Sequence, residues 1–374
     1  MTTPATQEPA PRKQSRLGAW GIYLPTIALV VFVGLYWLFW NHMAGILESR
    51  VNEFRQTGDG TGLTADWQDF KVSGFPYRMQ GAFTNPELAD PQSPSNWHWE
   101  GGKLTVAVLP YNLKHIIVLP EGEQTVHYFT GSGDASQQHT LRLTAETARA
   151  SYVVVPGSFG RVAVELQKLH LSDGLTAQED ANNAGPLLGL TADRAQFNLE
   201  PSGGEADSIP GDANVALQLE NAVFDPLLNN PLFDTPLSFA GIEGRLRGVP
   251  AQPETDLKGL LQQWGEAEGS ADIDALTIKW GTLDMTASGS LHLDAQHRPE
   301  GVLDAAFINP QAFVQTLVDK GVVSRQNASF ALAGISAISN FQGASDGRVK
   351  LPVIFKDGKL YLGPLKISNV DPIY

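Results

Sequence analysis

The chain has 374 residues, 40 acidic against 26 basic side chains, a net charge of −14 at pH 7 and no cysteine. This balance excludes nucleic acid as a partner, because phosphate binding needs a basic face. Missing cysteine excludes disulfides, thiolate metal sites and cysteine nucleophiles. Only 18% of residues are charged, and 37 glycines and 24 prolines call for many turns, as in a β-rich protein.

Residues 1–16 open with a Pro- and Thr-rich stretch and are read as a disordered cytoplasmic tail. Leu17–Trp40 then runs without a charge. Its 24 residues reach about 36 Å as a helix, enough to cross a ~30 Å hydrocarbon layer. Trp20 and Tyr23 mark one end, and Tyr36, Trp37 and Trp40 the other, where aromatic rings favour the membrane–water interface. Arg12, Lys13 and Arg16 precede the span, so the positive-inside rule keeps the N-terminus cytoplasmic and sends residues 41–374 across. A buried core helix is shorter and differently flanked, and no small-x-small cleavage site comes after it, so the segment reads as an uncleaved signal anchor.

Residues 41–57 continue as a helical stalk. Met43, Leu47, Val51 and Phe54 form one stripe that should dock on the neighbouring β region, and the glycines of 58–62 end the helix. From there the period changes to two, the signature of half-buried antiparallel strands. An N-terminal β region is expected over 63–200 and a C-terminal β/α region over 213–374, with linkers at 172–186 and 201–213. Lys356–Lys359 carries Asp-Gly, a strong hairpin signal. Helices are expected at 253–265 and 309–321, and 325–341 suits helix or strand.

The stretch Gly74, Phe75, Pro76, Tyr77, Arg78 interrupts two strands. Gly74 takes backbone angles closed to other residues, and Pro76 holds Phe75 extended. A sharp corner results, with Phe75 and Tyr77 capping an open sheet end. Arg78 is the one group there able to clamp a phosphate or carboxylate, although such an arginine more often pairs with a nearby acid or stacks on a ring. Trp97 and Trp99 share a strand face, and Tyr111 lies in an aromatic hairpin. Such rings are usually core and less often stack on sugar or lipid.

No catalytic constellation emerges. "GASDG" around Ser345 fits G-x-S-x-G by letters, but a strand comes next and the last histidine, His297, lies upstream, so an Asp-Gly turn is the reading. His127 and His139 can approach across strands, yet no carboxylate motif lies nearby to complete a metal site. No glycine run precedes a helix carrying Lys-Ser/Thr, so no phosphate loop is present. No cofactor is expected.

The stretches 74–78, 109–120, 277–301 and 351–365 resemble the alphaproteobacterial family called "domain of unknown function 2125", including its anchor, its Gly-Phe-Pro corner and its Trp-Gly…Arg-Pro-Glu-Gly block. That family carries no established catalytic residue to transfer. The closing strands also resemble AsmA-like envelope proteins, which implies a long β groove that handles lipid between membranes.

The expectation is therefore a mainly β (α+β) fold, one or more curved antiparallel sheets with a few helices, tied by one span to a bacterial inner membrane with its bulk periplasmic. The expected function is non-enzymatic, with an apolar β groove offered to lipid or another amphiphile. The inner-membrane bilayer is one partner, and a lipid or an envelope protein a second. A scaffold recruiting envelope proteins through sheet edges is the runner-up, and a hydrolase the least favoured.

Overall fold

The structure is a computed structural model. It describes residues 17–374 except 59, 61, 94, 110–111, 131–136, 157, 176–187, 203–210, 225–234, 251–256 and 343–347.

One helix, α1 (Leu17–Thr57), runs unbroken for 41 residues, about 60 Å at helical rise, with Pro25 inside it. The uncharged segment and the stalk are thus one rod. Along the stalk Met43, Leu47, Val51 and Phe54 are half-buried while most residues between them are exposed, so the apolar stripe is the docked face. α1 is the one helix among the described residues long and apolar enough to cross a membrane.

Everything after α1 is built on a single 18-stranded sheet. Its first strands are short and share rows. β1 (Thr64–Asp66) pairs with β4 (Glu87–Asp90), and β2 (Asp69–Ser73) pairs with β3 (Met79–Thr84). Both β3 and β4 pair with β5 (Trp97–Leu109), and β5 with the 19-residue β6 (Asn112–Thr130). β6 meets β7 (Gln137–Thr144) along one half and β8 (Thr147–Val153) along the other, and both pair with β9 (Arg161–Leu175).

From β9 the sheet is a plain antiparallel meander. It runs through β10 (Leu188–Pro201), β11 (Asp212–Phe224), β12 (Leu237–Arg247), β13 (Ser270–Trp280), β14 (Leu283–Leu293) and β15 (Pro299–Ile308). It closes with β16 (Arg348–Lys356), β17 (Lys359–Leu362) and β18 (Leu365–Asn369). The stretches expected as linkers contain strand at their ends: β9 runs to Leu175, and β10 and β11 pair across the 201–213 segment. At the β16–β17 turn Asp357 and Gly358 both have positive φ, 52° and 66°, as a tight Asp-Gly hairpin requires.

Register places apolar residues opposite one another strand after strand. Val72 faces Gly81, Gly81 faces Val106, and Val106 faces Val118. The same row continues through Ala150, Val164, Phe197, Leu217 and Ile242. It ends through Leu276, Ala287, Ala305 and Leu351. Because side chains alternate, the neighbouring row lies on the other face and reads Arg149, Glu165, Gln196, Gln218, Gly241, Thr277, Thr286, Ala306 and Lys350. One face is therefore apolar across nearly the whole sheet, and the other is largely polar.

The apolar face is covered at its C-terminal end by two helices, and at its N-terminal end α1 lies against Trp67, whose ring packs on Phe83. Between β15 and β16 the chain forms α3 (Pro310–Asp319) and α4 (Arg325–Gln342), so 325–341 resolves as helix. Val314 and Leu317 of α3 and Ala328, Ala331 and Ile335 of α4 pack on Ile273, Met285, Leu303, Phe307, Val349 and Leu351. This is the main core. A smaller cluster of Leu169, Ala192 and Ala222 sits between β9 and β12. α2 (Leu257–Glu266) stands by the β12–β13 connection, where the Trp264 indole N–H donates to the Arg247 carbonyl at 2.7 Å.

Candidate functional site

Three features combine chemistry with accessibility: the corner at 74–78, the uncovered part of the apolar face with its aromatic end, and two depressions on the polar face.

The corner is held against α1. Gly74 has φ +105°, and a Cβ there would meet the Arg78 carbonyl oxygen at 2.7 Å, so only glycine fits. The Arg78 N–H closes the turn on the Gly74 carbonyl at 3.1 Å, and the Phe75–Pro76 peptide is cis. From the helix, the Tyr36 hydroxyl donates to the Pro76 carbonyl at 2.6 Å, and the Trp40 indole N–H to the Arg78 carbonyl at 3.3 Å. The Phe75 ring lies 5.9 Å from Tyr36 and 5.7 Å, edge-on, from Trp40. Phe75 thus packs on the helix rather than capping a sheet end, because the helix brings two aromatic rings to it. Farther along, Arg55 pairs with Asp66 and lies 5.1 Å over the buried Trp67 ring.

Among the aromatics read as interface markers, Tyr36 and Trp40 (8% exposed) turn toward the corner, while Tyr23 and Trp37 are open. Tyr77 is 82% exposed. Arg78 is exposed, and among the described residues neither a carboxylate pairs with it nor an aromatic ring lies under it. The acid expected beside it is missing from the chain around the corner: 74–84 and 104–120 contain no Asp or Glu. Tyr111, Ser345 and the Trp20 side chain lie outside the described residues.

At the end of the sheet away from the corner, Trp97 and Trp99 are half-buried on β5, opposite Asp90 and Leu88. Val126 pairs with Trp99, and Tyr128 lies one step along the same face. The Tyr128 hydroxyl donates to Asp173 Oδ2 at 2.9 Å, and its ring stacks on His139 at 5.0 Å. His139 Nδ1 lies 3.5 Å from the same carboxylate oxygen. Burial first, and then the Asp173 carboxylate, pushes the Tyr128 phenol up to about 12. His127 is not part of this group and bonds Thr140 across strands at 3.1 Å. Sequence reasoning missed the cluster because Asp173 falls in a stretch read as linker. Its signal would have been the alternation that carries β9 on to Leu175. Among the described residues no group of three His, Asp or Glu is arranged to hold a metal.

The depressions lie on the polar face, not on the apolar one where a groove was expected. One, of about 540 Å³, is lined by Thr277, Thr286, Ser288, Asp304 and Lys350 among others. A second, of about 370 Å³, is lined by Arg161, Asn198, Glu200, Asn214 and Glu243 among others, and Asp274 borders both. Neither contains a histidine, so neither pairs a hydroxyl nucleophile with an imidazole base. The apolar face between β5 and β12 is instead broad and uncovered by any described helix, with Leu217 46% exposed at its middle.

Residues 40–371 match the family described as "Uncharacterized protein conserved in bacteria (DUF2125)". The chain belongs to this family. The DUF2125 match takes in the docked stalk, the corner and the whole sheet, and begins at Trp40, the residue that buries its indole in the corner. No curated protein and no solved structure matches the chain.

Proposed function

We propose that this protein is a non-enzymatic envelope protein, anchored in a bacterial inner membrane by α1 with its sheet in the periplasm, that binds lipid or another amphiphile along its apolar face. The observation that carries this reading is the register row from Val106 through Val164 and Phe197 to Leu217. It joins strand to strand without a polar interruption and without a described helix over it. Aliphatic surface of that extent is uncommon on a soluble face and marks a site of apolar contact. The row is continuous with β2 and β3, which lie next to the membrane helix, so an acyl chain has an unbroken apolar path away from the bilayer.

The test is photo-crosslinking of the full chain in vesicles that carry a lipid with a photoactivatable acyl chain. Crosslinks are expected on β10–β12, and Leu217→Glu should lower them several-fold, because a carboxylate on that face disfavours hydrocarbon. Crosslinks confined to α1 would sink the reading.

The scaffold reading keeps one supporting observation. β18 pairs with β17 alone, so among the described residues its outer edge has no strand partner and is open to strand addition. A defined envelope protein crosslinked to positions 365–369 in cells would favour it.

A further inference from the structure

Twenty residues of α1, from Leu17 to Tyr36, already reach about 30 Å. Tyr36 and Trp40 therefore stand where the helix leaves the hydrocarbon, and both are bound to the corner. The corner is thus fixed at the level of the bilayer surface rather than held away from it.

The surroundings of the corner suit that level. Met79, Val108, Ile116 and Tyr152 pair in sequence across β3, β5, β6 and β8, so the chain just beyond each of them lies at the same end of the sheet. Exposed apolar side chains gather there: Tyr77 at 82%, Leu113 at 62% and Val154 at 40%, with the Val154 N–H bonded to the Lys114 carbonyl at 2.9 Å. Charge is distributed in the same way. In a chain of net charge −14, residues 74–84, 104–120 and 147–164 hold no acid and carry Arg78, Lys114, Arg149 and Arg161. Arg161 pairs with Glu200 and Arg149 lies opposite Glu165, whereas Arg78 and Lys114 pair with no carboxylate among the described residues. Aromatic and aliphatic tips beside unpaired cations are the composition of a surface that sits in a lipid headgroup layer.

We propose that the 74–78 corner, the start of β6 and the end of β8 form a second membrane contact, seated on the leaflet from which α1 emerges. Tyr77, Leu113 and Val154 enter the interfacial layer, and Arg78 and Lys114 bind anionic headgroups. The proposal rests on the anchored reading above and adds to it the site where the apolar face meets the bilayer.

The absence of cysteine allows a direct test. Tyr77→Cys, Leu113→Cys, Phe32→Cys and Phe341→Cys are each labelled with an environment-sensitive fluorophore in the full chain. The labelled chains are placed in nanodiscs containing phosphatidylglycerol and a lipid with a nitroxide near its headgroup. Labels at 77, 113 and 32 should be quenched and blue-shifted. The label at 341, on an equally apolar side chain of α4 that is 94% exposed, should not. Labels at 77 and 113 that behave like the one at 341, with 32 still quenched, overturn the second contact and leave the anchor standing. An unquenched label at 32 removes the anchor and the proposal with it. Arg78→Ala and Lys114→Ala should each lower the ratio of seated to lifted sheet about fivefold on phosphatidylglycerol and leave it unchanged on phosphatidylcholine. Equal seating on the two lipids overturns the headgroup assignment.

Discussion

Gly74 is the position where a single added carbon matters most for the link between helix and sheet. A Cβ there collides with the backbone carbonyl of Arg78, the group that accepts the Trp40 N–H. Gly74→Ala should cost roughly 1–3 kcal/mol and loosen the α1 contact together with the turn. The check is thermal unfolding of the full chain in detergent micelles, combined with protease sensitivity at 58–62. Tyr128 makes a second prediction. Its phenol titrates near 12 in the fold against 10.0 when free, so the folded state favours the protonated form. That contribution is complete below pH 10 and is lost as the pH rises to about 12. Tyr128→Phe should flatten the alkaline slope of stability over this window and cost about 1–2 kcal/mol below it, because Asp173 loses its donor. Denaturant unfolding at stepped pH reads both effects.

The corner was legible from "GFPYR" as a bend, since glycine and proline dictate backbone geometry locally. Its partner was not, because Tyr36 and Trp40 lie about forty residues earlier and amphipathic rings at a helix end fit a lipid interface equally well. Period-two alternation revealed most strands, and the Asp-Gly hairpin at 357–358 obeyed its turn chemistry. The ambiguity at 325–341 had a physical root: small residues and two phenylalanines give no sharp period, and packing of Ala328, Ala331 and Ile335 on the sheet decides for helix. That packing sets a further expectation. Leu317, fully buried between α3 and the sheet, should cost about 2–5 kcal/mol on change to alanine. Hydrogen exchange should then report faster opening of α3, α4 and β16 and unchanged protection in β5–β9, because the two regions share no core cluster.

Pairing strand with next strand makes the protein one sheet that carries two chemistries, apolar on one side and polar on the other. Alternation along each strand foretold two-faced strands, but not that thirteen residues would line up in a single row, because register depends on bulges such as those between Gly101 and Lys103 and between Ile273 and Leu276. Nor did the alternation show that the depressions would open on the polar side, since curvature is a property of the assembled sheet. Trp40→Ala tests how far the sheet relies on its rod. The loss of a large buried ring should cost about 3–5 kcal/mol locally. Spin labels on α1 and β3 should report a widened distance distribution while the spectral signature of the sheet persists.

The order of pairing also bears on how such a sheet comes into being. From β9 to β18 each strand finds its partner in the segment made just before it. A chain delivered N-terminus first can therefore add strands one at a time to a growing edge, without waiting for its tail. A nascent protein cut short at a strand boundary would already hold the hydrogen-bonded rows of everything that preceded it.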